Sequence, residues 1–142
     1  MNPIYVDQKE ILKRYKPIEA NTHKGIQGHA LIIAESYRKT GAAVLASCGC
    51  LKTGCDLVTA FVPKCGYQIV QIATPEVLVV TDMKIKYLTA IAFEITTQAI
   101  GIGPGIGQKY ATQKAVHEFL LTNNIPLVVD ADALNILSKK KS

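Results

Sequence analysis

Three short stretches hold residue types and spacings suited to chemistry. GIGPGIG at 101–107 places four glycines and a proline in seven residues, directly after the apolar run QAIGI and before the helical pattern of 108–124. Glycines between a strand and a helix leave backbone N–H groups free and make room for a phosphate or a flat ring. Gly103, Gly105 and Gly107 are therefore candidate binding residues. The spacing is not G-x-G-x-x-G, no acidic residue ends a following strand to hold a ribose, and no Gly-Lys-Ser/Thr follows. A tight strand-to-helix turn is the plainer reading of the same glycines.

DADALN at 130–135 puts two acids after the buried-looking run PLVV. Asp130 emerges straight from that strand and is the better candidate to contact a hydroxyl, a phosphate or a metal-bound water. Asp132 is placed to cap the helix that follows. TGAAV at 40–44 opens another helix, and its small residues Gly41, Ala42 and Ala43 would let a ligand lie against the backbone. His23, Lys24 and Gly25 precede the first strand. His23 is an acid–base candidate, although a lone loop histidine is more often a hydrogen-bonding partner.

The elements that must hold these stretches alternate strand and helix. A short helix is expected from about Gln8 to Tyr15. Strands are expected at 29–34, 57–62, 77–81, 98–103 and 126–131, and helices at 40–54, 66–73 and 108–123. In the 66–73 helix Ile69, Val70 and Ile72 should face inward. Residues 84–93 are mixed, and a last helix starts near Ala133. Continuous apolar strands separated by helices predict an α/β fold: a three-layer, Rossmann-like parallel sheet flanked by helices on both faces. Right-handed crossovers would gather the loops 35–40, 62–66, 103–107 and 130–135 at one edge. No repeat or linker divides the chain, so 1–142 is read as a single domain.

Composition narrows the function classes. The chain has 142 residues, 49% hydrophobic and 19% charged, which suits a folded core rather than disorder. The net charge is +5, but Lys139, Lys140 and Lys141 are three of the 16 basic residues. No basic stripe with interleaved aromatics exists, so nucleic acid is not an expected partner. The N-terminus lacks the apolar run of a signal peptide and no stretch is long enough to span a bilayer, so the expectation is a cytoplasmic protein with no membrane partner. Cys48, Cys50, Cys55 and Cys65 match no common zinc spacing and are read as reduced packing thiols, with no metal site expected.

Taken in order, H-K-G-x-x-G, a strand, T-G-A-A-V-L-A, P-E, I-G-P-G-I-G and V-V-D-A-D-A-L-N resemble the ADP/ATP-dependent NAD(P)H-hydrate (NAD(P)HX) dehydratases. The match runs from His23 to Leu137. The resemblance implies a partial ribokinase-like fold and the repair of hydrated nicotinamide cofactors. The substrate would be NADHX or NADPHX, a small-molecule dinucleotide, and ADP or ATP with Mg2+ would drive its dehydration. By the same resemblance Gly41, Ala42 and Ala43 would border the hydrated nicotinamide. Gly103, Gly105 and Gly107 would form the substrate loop, with Asp130 and Asn135 lining or supporting the cleft. Family members usually continue into a second half with a Pro-His-Pro-Gly-Glu segment and a Gly-Ser-Gly-Asp turn that supplies the catalytic acid. Neither segment occurs in these 142 residues. No catalytic residue is therefore expected here, and the chain reads as an N-terminal half, inactive alone.

Glu35, Arg38 and Asp56 stand where the family pattern favours glycine. A sugar or vitamin kinase of the same superfamily is one alternative, though D-A-D-A-L-N with H-K-G argues against it. A non-catalytic binding module using an exposed sheet edge is another. The expected partner is either the missing C-terminal half or a second copy in a homo-oligomer.

Overall fold

The computed structural model describes residues 5–15, 17 and 27–139. His23, Lys24, Gly25, Lys140 and Lys141 lie outside them. Among the described residues five parallel strands form one sheet: β1 His29–Ile33, β2 Leu57–Val62, β3 Leu78–Thr81, β4 Ala99–Ile102 and β5 Leu127–Val129, in the order β3-β2-β1-β4-β5. The central strand β1 aligns Ile33 with Phe61 on one side and with Ile102 on the other. The helices are α1 Gln8–Leu12, α2 Gly41–Lys52, α3 Tyr67–Ala73, α4 Tyr110–Thr122 and α5 Ala131–Ser138.

Strand side chains alternate between faces, so β1 serves two cores. Leu31 and Ile33 join Phe61, Ile100, Val116 and Phe119 beneath α4 and α5. Ile32 and Ala34 join Ala43, Val58, Val62 and Val70 beneath α2 and α3. Both faces are buried, which is why β1 and β2 read as unbroken apolar runs.

The crossover from β3 to β4 contains no helix. Its residues Ile91, Phe93 and Ile95 recur every second position and pack on the first core, as extended chain does. Phe93 sits between Phe61 and Phe119, with centroids 6.4 and 6.3 Å away. The buried Asp82 carboxylate starts this segment by accepting hydrogen bonds from Thr89 N, Thr89 Oγ1 and Ala90 N.

Several expectations shift. Of the three residues expected to face inward on α3, only Val70 does; Ile69 is 38% and Ile72 82% exposed. At about 100° per residue, Ile69 lies about 100° and Ile72 about 200° around the helix from Val70, so a face centred on Val70 leaves both toward solvent. The N-terminal helix stops at Leu12. The last helix begins at Ala131, two residues early, so Asp130 and not Asp132 occupies its N-cap position. The cysteines are free thiols: Cys55 donates to Leu57 O, and Cys48 lies 3.2 Å from Thr74 Oγ1. Burial, with Cys55 beside it, pushes the Cys50 thiol up to about 11, the behaviour of an inert packing group.

Candidate functional site at the strand C-terminal ends

The chain runs outward from β1 to β2 and β3, then returns to the other side of β1 for β4 and β5. The direction of winding therefore reverses between β1 and β4. Ligands of open parallel sheets bind in the crevice outside the carboxyl ends of two such strands. Here the loops leaving them, 34–40 and 103–109, are laced together. Glu35 N donates to Pro104 O at 2.8 Å, and Ser36 Oγ donates to Gly105 O at 2.6 Å.

Asp132 ties in the third loop. Its carboxylate accepts from Lys39 Nζ at 2.8 Å, Gly107 N at 3.0 Å and Gln108 Nε2 at 3.1 Å. Burial alone would raise its pKa, but the Lys39 ammonium and the bonds from Gln108 and Gly107 outweigh that and hold it below the ordinary carboxylate value. A depressed pKa means that this bracket stabilises the fold at neutral pH and fails as acid protonates it. Sequence reading gave the functional weight to Asp130. Asp130 is exposed and makes no side-chain capping bond, whereas Asp132 is the side chain on which the loops meet.

Two depressions open at this edge. The larger, about 590 Å³, lies between the N-terminus of α2 and α5, and its lining includes Gly41, Ala42, Gly105 and Asn135 of the sequence-derived candidates. The smaller, about 360 Å³, is lined by Ser36–Arg38, Lys86, Tyr87, Gly107 and Lys109. Of the other candidates, Ala43 is buried on the core face of α2, and Gly103 is buried against Asp130 and Ala133.

The glycine loop is crowded by the protein itself. Gly103, Gly105 and Gly107 all have positive φ, at 132, 70 and 75°. A Cβ at Gly103 would collide with the Asp130 carbonyl, and one at Gly105 would lie 2.8 Å from Ala42 Cβ and 3.1 Å from Lys39 O. A Cβ at Gly41 meets nothing within 4 Å. Gly41 is thus the glycine that faces open crevice, while Gly103 and Gly105 are required by packing.

Two of the three residues standing where glycine is favoured do adopt glycine's conformation: Glu35 at φ 83° and Arg38 at φ 73°. Asp56 does not. Gly54 takes the positive φ of that turn at 97°, and the Asp56 carboxylate accepts from Gln27 N. Glu35 is fully buried, and neither carboxylate oxygen has a hydrogen-bond partner. Desolvation pushes its pKa up to about 7. Sequence reading missed Lys86, Tyr87 and Lys109. No motif marks them, because they come from the irregular crossover and the start of α4.

This arrangement places the chain among ribokinase-like proteins by fold. A solved ribokinase-like superfamily protein from Enterococcus faecalis superposes with a TM-score of 0.77 at 19% identity, covering 98% of this chain and 51% of that one. The chain belongs to the NAD(P)H-hydrate dehydratase family, which matches residues 30–142. It is similar to the ADP-dependent (S)-NAD(P)H-hydrate dehydratase of Staphylococcus aureus, 36% identical over 85% of this chain and 44% of that protein. It is also similar to the crystal structure of the ADP/ATP-dependent NAD(P)H-hydrate dehydratase of Bacillus subtilis co-crystallized with ATP/Mg2+. There the TM-score is 0.76 at 29% identity, over 90% of this chain and 46% of that one. The chain spans between 23% and 48% of the length of the curated relatives compared with it.

Proposed function

We infer that this chain supplies the dinucleotide-binding half of an ADP- or ATP-dependent NAD(P)H-hydrate dehydratase, with NADHX or NADPHX held in the larger crevice. The observation that carries this reading is the open surface at Gly41 and Ala42, where the α2 N-terminus meets the winding reversal without a side-chain cap. An uncapped helix N-terminus of this length favours a pyrophosphate, and the absence of side chains leaves room for a flat ring. Family membership and the names of the relatives point the same way. No three His, Cys, Asp or Glu side chains converge among the described residues, so these residues do not fit a resident magnesium site. Magnesium would enter with nucleotide phosphates, as it commonly does.

Turnover needs more than this half. The Gly-Ser-Gly-Asp turn that the resemblance makes the source of the acid has no counterpart in these residues. The β5 edge, where Val128 is exposed, is where a further part of the fold would pack. Among the described residues no helix is long and apolar enough to cross a membrane.

The test has a binding arm and a turnover arm. Calorimetry with NADPHX should give saturable binding that Gly41→Val weakens at least about tenfold without lowering the melting temperature, because a Cβ at this position meets nothing within 4 Å and Gly41 lines the crevice. The chain alone should show no ADP- or ATP-dependent recovery of nicotinamide absorbance, since a positioned general acid contributes about 10²–10⁴ in rate. Unchanged binding in Gly41→Val would remove the crevice from the site, and sustained turnover would show that the acid lies within these residues.

A further inference from the structure

The smaller pocket gathers three cations and no carboxylate. Arg38 comes from the loop after β1, Lys86 from the irregular crossover and Lys109 from the N-cap position of α4. None of the three pairs with an acidic side chain among the described residues. Each instead lies over a tyrosine ring: Arg38 and Lys86 at 5.9 and 5.3 Å from the Tyr37 centroid, and Lys109 at 5.0 Å from that of Tyr87. A cation–π contact restrains a cation without cancelling its charge, as a carboxylate would.

The three segments are also fastened to one another. Tyr37 N donates to Lys86 O at 2.8 Å, and the buried Thr112 Oγ1 donates to Leu88 O at 2.9 Å. The first turn of the 13-residue α4 holds no acidic residue and has no side-chain cap, so its N–H groups add positive potential beside Lys109. Arg38 is held at φ 73°, a conformation costly for a residue with a Cβ. Such strain persists where the surroundings impose it, and it collects at ligand sites.

We propose that this pocket binds the phosphate groups of a small molecule, with Arg38, Lys86 and Lys109 as its phosphate ligands. A volume of about 360 Å³ accommodates a diphosphate with part of a ring. Like charges brought together without counter-ions repel, and an anion between them removes that cost. Arg38 borders the Gly41 crevice as well, whereas Lys86 and Lys109 line only the smaller pocket, so the lysine pair tests this site independently of the dehydratase reading.

The test is calorimetry on the whole chain with inorganic pyrophosphate and, separately, ADP. Lys86→Gln with Lys109→Gln is compared with Lys52→Gln with Lys114→Gln, which removes the same charge elsewhere. The pocket pair should weaken pyrophosphate binding at least about tenfold and the control pair less than about twofold. Arg38→Gly should weaken binding while raising the melting temperature, because it removes a ligand and a strained φ together. ADP binding more tightly than pyrophosphate, with the same losses, would identify a nucleotide as the phosphate source. ADP binding no more tightly would identify a free phosphate or diphosphate. Equal losses in the two double variants, unchanged binding in Arg38→Gly, or no saturable binding of either probe at millimolar concentration would overturn the proposal.

Discussion

Replacing Glu35 with glycine should stabilise this protein, raising its melting temperature by roughly 5–10 °C at pH 8, where one kcal/mol corresponds to about 3–4 °C for a chain of this size. Two penalties disappear together. Glu35 has φ 83°, which glycine adopts freely and which costs a residue with a Cβ about 1–2 kcal/mol. Its carboxyl is also buried with both oxygens unpartnered. It occupies the space over Gly66 that a Cβ there would need, 2.6 Å from the carboxyl carbon. Lost packing of the side-chain methylenes offsets part of the gain.

The pH dependence separates the two penalties. The folded pKa of Glu35 is raised from 4.5 to about 7. A raised carboxyl pKa favours the folded state below the unfolded pKa, and that advantage is lost as pH rises through the folded one. The parent should therefore lose up to about 3 kcal/mol between pH 4.5 and 7 from this group. Glu35→Gly should remove this slope. Glu35→Gln should remove it too, yet gain less, because φ 83° and a buried amide remain. Thermal unfolding by circular dichroism from pH 4.5 to 8 reads all three proteins. A Glu35→Gly variant that melts at or below the parent at pH 8 would refute the strain and desolvation argument.

Gly103→Ala should have the opposite and larger effect, costing about 4 kcal/mol or more, beyond the range of ordinary single substitutions. The new methyl would meet the Asp130 carbonyl group, with the carbonyl carbon 2.8 Å away, and Ala133 Cβ at 2.9 Å. Neither neighbour can yield easily. Asp130 N is tied to Ile102 O at 3.0 Å as β4 pairs with β5, and Ala133 is fully buried on the inner face of α5. The φ of 132° is unavailable to alanine as well. Urea unfolding should show a large fall in midpoint, or the variant should fail to accumulate in soluble form. Gly41→Ala is the internal comparison: its methyl meets open space, so stability should hold or rise slightly. A Gly103→Ala midpoint equal to the parent's would show that the loop yields where the packing says it cannot.

The same glycines show where sequence reading stops. Apolar runs at β1 and β2 and the small residues of TGAAV determined the parallel sheet and the placing of α2, because burial on both faces demands continuous apolar strands. The glycine-rich run announced a backbone in close quarters with something. It could not say with what, since a tight fit to a ligand and a tight fit to another strand select the same residue. In the fold, Gly103 and Gly105 pack against Asp130, Ala133, Ala42 and Lys39. Likewise the two aspartates of DADALN, two positions apart, were read in sequence as a ligand contact at Asp130 and a helix cap at Asp132. Only the position of the α5 start, two residues earlier than periodicity suggested, turned Asp132 into the hub for Lys39, Gly107 and Gln108.

Glu35 and Arg38 stood out in sequence as charges where glycine is favoured. Their cost was legible from the left-handed backbone alone. What tertiary structure decided is that they face different surroundings. Glu35 turns inward onto Gly66 with no partner, while Arg38 turns outward over Tyr37 toward Lys86 and Lys109. Local sequence determines backbone conformation through nearest-neighbour sterics. A side chain's partners are set by segments 50 or 70 residues away, and those reach it only once the sheet has formed.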